Sequence, residues 1–197
     1  MCCAPGLGLL FALAVMAGAA RADTAALVAS QCMACHGDGG NSVVPMFPRL
    51  AGQQAQYVAK QLRDFLTGKR KNEVMAPSLA QFKDADVDGL AAYYAAQKRT
   101  PITPGNDKLL AAGKALYDDG NTQSGVPACV GCHQPEGLGN DRYPGLAGQH
   151  PGYAATQLQQ FKSGARNNDR AKVMRAVAAR MSDDEIAAVV EFLASLP

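Results

Sequence analysis

The sequence predicts an all-α protein built from two tandem helical domains. Apolar residues recur at helical spacing in both halves of the chain, and no segment gives a convincing strand pattern. The second half also repeats the first: FPRLAGQ at residues 47–53 is matched by YPGLAGQ at 143–149, and the helical pattern of 57–65 is matched at 153–161. Two copies of about 75–90 residues indicate a duplicated domain, because a solenoid needs at least three shorter units.

The N-terminal segment predicts a signal peptide over residues 1–22. An apolar run at 7–16 is followed by Ala20-Arg21-Ala22, which is typical of a cleavage site and places the mature start at Asp23. The segment before the run has no Lys or Arg, which is atypical, but the run is shorter than the roughly 20 residues of a membrane span. Export places the protein in an oxidising compartment, where unprotected thiols tend to form disulfides.

The first domain is expected over 23–98, a linker over 99–105 and the second domain over 106–197. Two prolines and a glycine in the linker interrupt the helical pattern. In the second domain, Asn106 is suited to cap a helix over 107–117, and the capping box that starts at Ser182 opens a last helix ending near Leu196. The matching last helix of the first domain is expected from about Asp84 to Gln97.

Composition excludes two broad classes of protein. With 48% apolar and 18% charged residues the chain is an ordinary globular sequence rather than a disordered one. The chain has 19 Lys and Arg and 17 Asp and Glu, so loss of Arg21 with the signal peptide leaves 18 − 17 = +1. This small charge, without a basic stripe, argues against a nucleic-acid partner.

A Cys-x-x-Cys-His motif occurs once in each predicted domain. On a helical turn the two cysteines and the histidine project to one side, as the covalent attachment of haem c requires. A zinc site would need a second Cys-x-x-Cys about 15–20 residues away, and a redox dithiol would need a βαβ context; neither is found. The motif residues are Cys32, Cys35 and His36 in the first domain and Cys129, Cys132 and His133 in the second. The repeated motif therefore predicts two covalently bound haem c groups.

Methionine is the expected second axial ligand of each iron. Only Met75 and Met174 occupy matching positions in the two copies, 39 and 41 residues after their histidines (75 − 36 and 174 − 133). Pairing of His with Met is common at haem iron, so we expect His36, Met75, His133 and Met174 to bind the metal. The unmatched Met33, Met46 and Met181 are assigned to core packing.

Further expectations concern the histidine surroundings. Backbone carbonyls of Pro48 and Pro144 are candidates to accept the second N–H of His36 and His133. The remaining histidine, His150, has glutamine at the matching position and is interpreted as a surface residue.

Together these motifs resemble the dihaem cytochrome c4 family. The resemblance covers nearly all of residues 23–197 and includes both Cys-x-x-Cys-His motifs, both Pro-x-Leu-Ala-Gly-Gln segments and both methionines. It implies two tandem class I cytochrome c domains related by pseudo-twofold symmetry. It also implies a periplasmic electron carrier between a quinol-cytochrome c oxidoreductase and a haem-copper terminal oxidase. One departure is Ala25, where the family often has the glycine that the second domain keeps as Gly113.

Other functions remain open from the sequence. If each iron has both His and Met, no coordination position is left for a substrate, which favours a carrier that is not an enzyme. The alternatives are a dihaem redox enzyme of the peroxidase or thiosulfate-oxidising type, and the cytochrome subunit of a flavoprotein sulfide dehydrogenase. The basic loops at 69–71 and 166–172 are hypothesised to steer an acidic redox partner. The alternative is that they are solvated loops flanking the methionine ligands. The residues leave open whether the protein also sits loosely on a membrane.

Overall fold

The computed structural model describes residues 23–197, so the predicted signal peptide lies outside the described part of the chain. A first lobe starts with helical backbone over 23–27 and a π-helical turn, Val28–Cys32. The helices that follow in this lobe are α1 (Met33–His36), α2 (Ala55–Leu66), α3 (Met75–Ser78) and α4 (Asp84–Ala95). The second lobe contains α5 (Leu110–Asp119), α6 (Val130–His133), α7 (Pro151–Ser163), α8 (Val173–Ala178) and α9 (Asp183–Ser195).

Within residues 23–197 the only β-type pairing is an isolated antiparallel bridge between Asn121 and Val126. The all-α prediction is confirmed, and the two lobes have the same order of helices. None of the helices in this part of the chain has the length and apolar content needed to cross a membrane.

Local caps start the helices where the sequence predicts. Ser182 accepts a hydrogen bond from the N–H of Glu185 at 3.1 Å, and the Glu185 carboxylate accepts from the N–H of Ser182 at 2.7 Å. This reciprocal pair satisfies two N–H groups that have no partner inside α9. Asn106 caps a short 3-10 turn, Asp107–Leu109, that leads into α5.

The first and last helices of each lobe cross closely, and glycine makes this crossing narrow. At Gly113 on α5, an added methyl group would lie 2.1 Å from the carbonyl oxygen of Ala188 on α9. In the first lobe the glycine lies on the last helix instead of the first. A methyl group added at Gly89 on α4 would lie 2.7 Å from Oγ1 of Thr24. Gly89 matches Ala188 in the repeat, so the glycine of the crossing lies on the last helix in the first lobe and on the first helix in the second lobe.

Each lobe has its own apolar core. The first is formed by α2, α4 and the initial helical turns, with Val87 and Leu90 among its most buried residues. The second is formed by α5 and α9, with Tyr117 and Ile186 at its centre. Two separate cores are what a duplicated domain requires, since each copy buries its own helix faces.

A polar, pseudo-symmetric cluster joins the two lobes. Arg70 donates to the Tyr153 hydroxyl at 3.1 Å and to Gln157 at 2.8 Å in the other lobe. Its repeat partner Arg166 donates to the Tyr57 hydroxyl at 2.9 Å and to Gln61 at 3.1 Å. Each bond in one direction therefore has a counterpart in the other.

These contacts show that one arginine of each basic loop is not solvated but lies in the lobe contact. Arg166 is buried and Arg70 is half-buried, and their guanidinium groups stack at 4.5 Å and 4.7 Å from the ring centroids of Phe161 and Phe65. Burial alone would raise the pKa of Tyr57, but the neighbouring cations of Arg166 and Arg70 lower it below its ordinary value. The sequence alone does not reveal this contact, because the residues that cover the two arginines lie about a hundred positions away in the chain.

Candidate haem-binding sites

The first Cys-x-x-Cys-His motif forms a single helical turn. Cys32 ends the π-helical turn, and Cys35 and His36 lie in α1, which stops at Gly37 with φ 74°. An added methyl group at Gly37 would lie 2.6 Å from the carbonyl oxygen of Asn41, so the chain reverses tightly here.

The second motif is built in the same way. Cys129 precedes α6, His133 ends it, and Gln134 takes a positive φ of 68° at the position of Gly37. The two motifs share one backbone conformation, even though a residue other than glycine must adopt positive φ in the second. The thiols and the imidazole therefore have the same arrangement in both lobes.

Both motif histidines are oriented by a backbone carbonyl. The Nδ1 atom of His36 lies 2.9 Å from the oxygen of Pro48, and Nδ1 of His133 lies 2.9 Å from the oxygen of Pro144. Because a carbonyl oxygen only accepts, Nδ1 carries the proton and Nε2 keeps a free lone pair. The sequence-based prediction of these two acceptors is confirmed.

Burial also favours the form of imidazole that binds a metal. His36 and His133 are both buried, and desolvation lowers the pKa of each ring below its ordinary value. A neutral imidazole with Nε2 unprotonated is the form that binds iron.

The motif cysteines do not have the properties of a redox dithiol. None of the four forms a disulfide in the structure. Burial raises the pKa of Cys32, and it raises the pKa of Cys129 to about 11, whereas reactive thiols have lowered pKa values. Residues 23–197 also contain no cluster of three or more His, Cys, Asp or Glu side chains that could hold a metal ion.

The matched methionines open corresponding helices. Met75 is the first residue of α3, is half-buried and packs against the core of the first lobe. Its N–H donates to Oδ1 of Asn72 at 2.7 Å. Met174 is the second residue of α8 and is also half-buried, and Asp169 accepts from the N–H of the following Arg175 at 3.1 Å. A short polar side chain that precedes each methionine-bearing helix therefore accepts a hydrogen bond from an N–H of its first turn.

The unmatched methionines only partly follow the prediction of core packing. Met181 is buried, at 3% exposure, which confirms its assignment. Met33 and Met46 are 42% and 70% exposed, so their assignment to the core was wrong. Met33 points outward because Cys32, Cys35 and His36 occupy the inner side of the turn.

His150 is a second correction, because it is buried and not a surface residue. It is 7% exposed, and its Nε2 atom lies 2.8 Å from the carbonyl oxygen of Ser42 in the other lobe. It precedes α7 directly, so its ring reaches into the contact between the lobes. No local pattern shows this, since Ser42 is 108 positions away.

The donor set in each lobe fits a haem c group. Two thiols within one turn suit the two vinyl groups of the porphyrin, and the adjacent imidazole has its Nε2 available. A half-buried methionine opens a helix in the same lobe. The lobes repeat this set with the same backbone supports.

Comparison with known proteins agrees with this geometry. The family model described as cytochrome c matches residues 110–197, and the model described as cytochrome c oxidase, cbb3-type, subunit III matches residues 19–93. Cytochrome c4 of Thiocapsa roseopersicina is 46% identical over 168 residues, which cover 84% of this chain and 86% of the relative.

The chain belongs to the cytochrome c4 family. A crystal structure of reduced recombinant cytochrome c4 from Pseudomonas stutzeri has 38% identity and a TM-score of 0.84, and the match covers 90% of this chain and 98% of that one. The thiosulfate dehydrogenase electron acceptor of Thiomonas intermedia is 38% identical over 97% of this chain and 88% of the relative.

As a cytochrome c4, the protein consists of two tandem class I cytochrome c domains related by pseudo-twofold symmetry. It carries two covalently bound haem c groups and is a dihaem electron-transfer cytochrome. When bound, the haem groups supply one-electron chemistry at iron. The protein would supply the cysteines that attach these groups, the side chains that hold the iron and the polarity around them.

Proposed function

We propose that this cytochrome c4 is a periplasmic carrier that shuttles electrons from a quinol-cytochrome c oxidoreductase to a haem-copper terminal oxidase. Its first haem is attached through Cys32 and Cys35 and has His36 and Met75 as axial ligands. The second is attached through Cys129 and Cys132, with His133 and Met174 as axial ligands. The domain limits are 23–98 and 106–197, with the linker at 99–105 between the two family-model matches, which end at 93 and begin at 110.

The duplicated donor set is the observation that carries this proposal. In both lobes a neutral, carbonyl-bound histidine is accompanied by a methionine at the start of the next short helix. With both axial positions filled by protein, neither iron has a vacant position for substrate, so transfer of electrons is the remaining chemistry. This argues against a peroxidase, in which one haem must be open.

The ligand type also supports a place near the end of a respiratory chain. A methionine thioether stabilises Fe(II) more than a second imidazole does and so raises the reduction potential. We therefore expect two positive potentials. They differ slightly, because the buried, charged Arg49 follows Pro48 in the first lobe while its repeat partner is the uncharged Gly145.

One relative favours a second candidate for the electron donor. A protein named thiosulfate dehydrogenase electron acceptor matches almost the whole chain. Its name describes a carrier that receives electrons from a sulfur-oxidising enzyme, so the haem sites proposed above serve this role without change. Reduction of the purified protein by a quinol-oxidising membrane fraction, against reduction by a thiosulfate dehydrogenase, separates the two donors.

A potentiometric titration with ligand variants tests the proposed haem sites. Wild-type protein is expected to show two positive potentials and two equivalents of the far-red band of methionine bound to ferric iron. Met75→Leu and Met174→Leu should each remove one equivalent and lower one potential, because the thioether is lost. Met181→Leu, a matched change in the core, should keep both.

Two results would contradict the assignment. If Met75→Leu or Met174→Leu keeps both equivalents of the band, that methionine is not a ligand. If the wild-type protein lacks one equivalent, one haem has an open position, and peroxidase and thiosulfate-oxidising activities become the leading candidates.

A further inference from the structure

Two glutamines clamp backbone segments across the lobe contact. Oε1 of Gln149 accepts from the N–H of Arg49 at 3.0 Å, and its Nε2 donates to the carbonyl of Arg49 at 3.0 Å. Gln53 makes the same pair of bonds, each 2.9 Å, with the N–H and carbonyl of Gly145. Each glutamine lies in one lobe and holds a residue of the other.

The clamped residues are directly connected to the motif histidines. The N–H of Arg49 belongs to the same peptide group as the Pro48 carbonyl, which accepts the Nδ1 proton of His36. The N–H of Gly145 likewise shares a peptide group with the Pro144 carbonyl, which accepts from His133. One planar peptide therefore connects the histidine of each lobe to a glutamine of the opposite lobe.

The glutamine amides are themselves held in place. Oε1 of Gln149 also accepts from the N–H of His150 at 3.0 Å, and Oε1 of Gln53 accepts from the N–H of Gln54 at 3.0 Å. These N–H groups belong to the residues that precede α7 and α2. The amide orientation is determined by its partners, because an oxygen must face the N–H groups and a nitrogen must face the carbonyl.

We propose that Gln149 and Gln53 are positioning residues that tune the reduction potential of the haem in the opposite lobe. An acceptor on the N–H of a peptide polarises its carbonyl, which strengthens the hydrogen bond from the histidine Nδ1. A stronger bond increases the basicity of the imidazole as an iron ligand and favours the oxidised iron. The inference rests on the proposed function in one respect, namely that His36 and His133 are iron ligands.

The crossed direction of the effect makes the proposal testable. Gln149→Leu should raise the potential of the first-lobe haem, and Gln53→Leu should raise that of the second-lobe haem. From the polarisation of one hydrogen bond we expect the ratio of reduced to oxidised haem, at fixed applied potential, to rise about 1.5- to 4-fold. For a one-electron couple this is about 10 to 35 mV.

The measurement is a spectroelectrochemical titration of the full-length holoprotein in which the haem methyl NMR resonances, assigned to each lobe, report the two haems separately. Hydrogen exchange of the histidine Nδ1 proton gives an independent signal, and it should become faster for His36 in Gln149→Leu. Gln54→Leu is the matched control, since it removes a hydrogen bond of 2.8 Å to the Leu138 carbonyl across the same contact without touching either clamped peptide. The control should leave both potentials near those of the wild type.

Gln149→Asn provides a second variant if Gln149→Leu does not fold, because it keeps the amide but shortens the side chain by one methylene. Equal shifts of both haems, a shift confined to the glutamine's own lobe, or a shift no larger than that of Gln54→Leu would overturn the proposal. The variants are made only once the wild-type protein has shown two equivalents of the methionine band, which tests the proposed haem sites first. A missing crossed shift then contradicts this inference and not the proposed function.

Discussion

At the scale of residues, the three histidines differ in their partners more than in their burial. All three are buried, and each has a ring nitrogen at 2.8–2.9 Å from a backbone carbonyl. His36 and His133 bind a carbonyl of their own lobe and follow a Cys-x-x-Cys pair. His150 binds Ser42 of the other lobe, so its role is to join the lobes.

His150 should make the stability of the protein depend on pH. Burial lowers its pKa below the ordinary value of 6.5, and Arg49, the charged group that faces it, lowers the pKa further. The unfolded chain therefore binds a proton at higher pH than the folded protein does. Stability contributed by the neutral ring is complete above the unfolded pKa and is lost as the pH falls from about 6.5 towards the lower folded pKa.

Urea unfolding of the holoprotein at about pH 7.5 and about pH 5.5 measures this loss. His150→Gln keeps a donor for the Ser42 carbonyl but does not titrate, so it should lose less stability on acidification than the wild type. Equal losses in the two proteins would show that protonation of His150 has no part in acid destabilisation.

At the scale of elements, the crossing of the first and last helices tolerates no side chain at its narrowest point. Gly113→Ala should lower the free energy of unfolding by about 1–3 kcal/mol, because a methyl group cannot fit against the Ala188 carbonyl without moving α9. Urea unfolding of the holoprotein measures the change.

Gly131 offers a matched control for this substitution. It is also a helical glycine, and its repeat partner in the first lobe is Ala34, so the same turn of the other motif already carries a methyl group at this position. Gly131→Ala should leave stability unchanged or raise it slightly, because alanine favours a helix. A Gly113→Ala protein as stable as Gly131→Ala would show that the helices can separate at no cost.

At the scale of the whole molecule, the basic loops contain arginines that join the lobes and lysines that remain exposed. Arg70 and Arg166 are used in the lobe contact, whereas Lys69 and Lys71 are exposed. As a proposal, these lysines steer an acidic redox partner towards the first lobe.

Lys69→Glu with Lys71→Glu should reduce the rate of association with an acidic redox partner about tenfold at low ionic strength. The difference should shrink as salt is added, because screening weakens interactions between exposed charges. Lys108→Glu with Lys114→Glu changes the net charge equally at exposed sites on the second lobe. Stopped-flow electron transfer would contradict the proposal if both double variants slowed association to the same extent.

Features that depend on short spacings could be predicted from the sequence. Helix starts at Ser182 and Asn106, the Cys-x-x-Cys-His turns and the Pro48 and Pro144 carbonyls all involve residues close together in the chain. The pairing of Met75 with Met174 came from comparing the two copies. It remains a prediction as far as iron binding is concerned.

By itself, then, the sequence determined the duplicated helical fold, the two haem c groups and the residues expected to hold them, because these are written in local spacing and in the repeat. Only the tertiary structure decided what lies between the lobes. Hydrogen bonds across this contact join residues 92–109 positions apart, and they are made by His150, Arg166, Gln53 and Gln149. Side chains of this kind are ordinary polar surface residues in the sequence of either copy, and they find their partners only where the two lobes pack together.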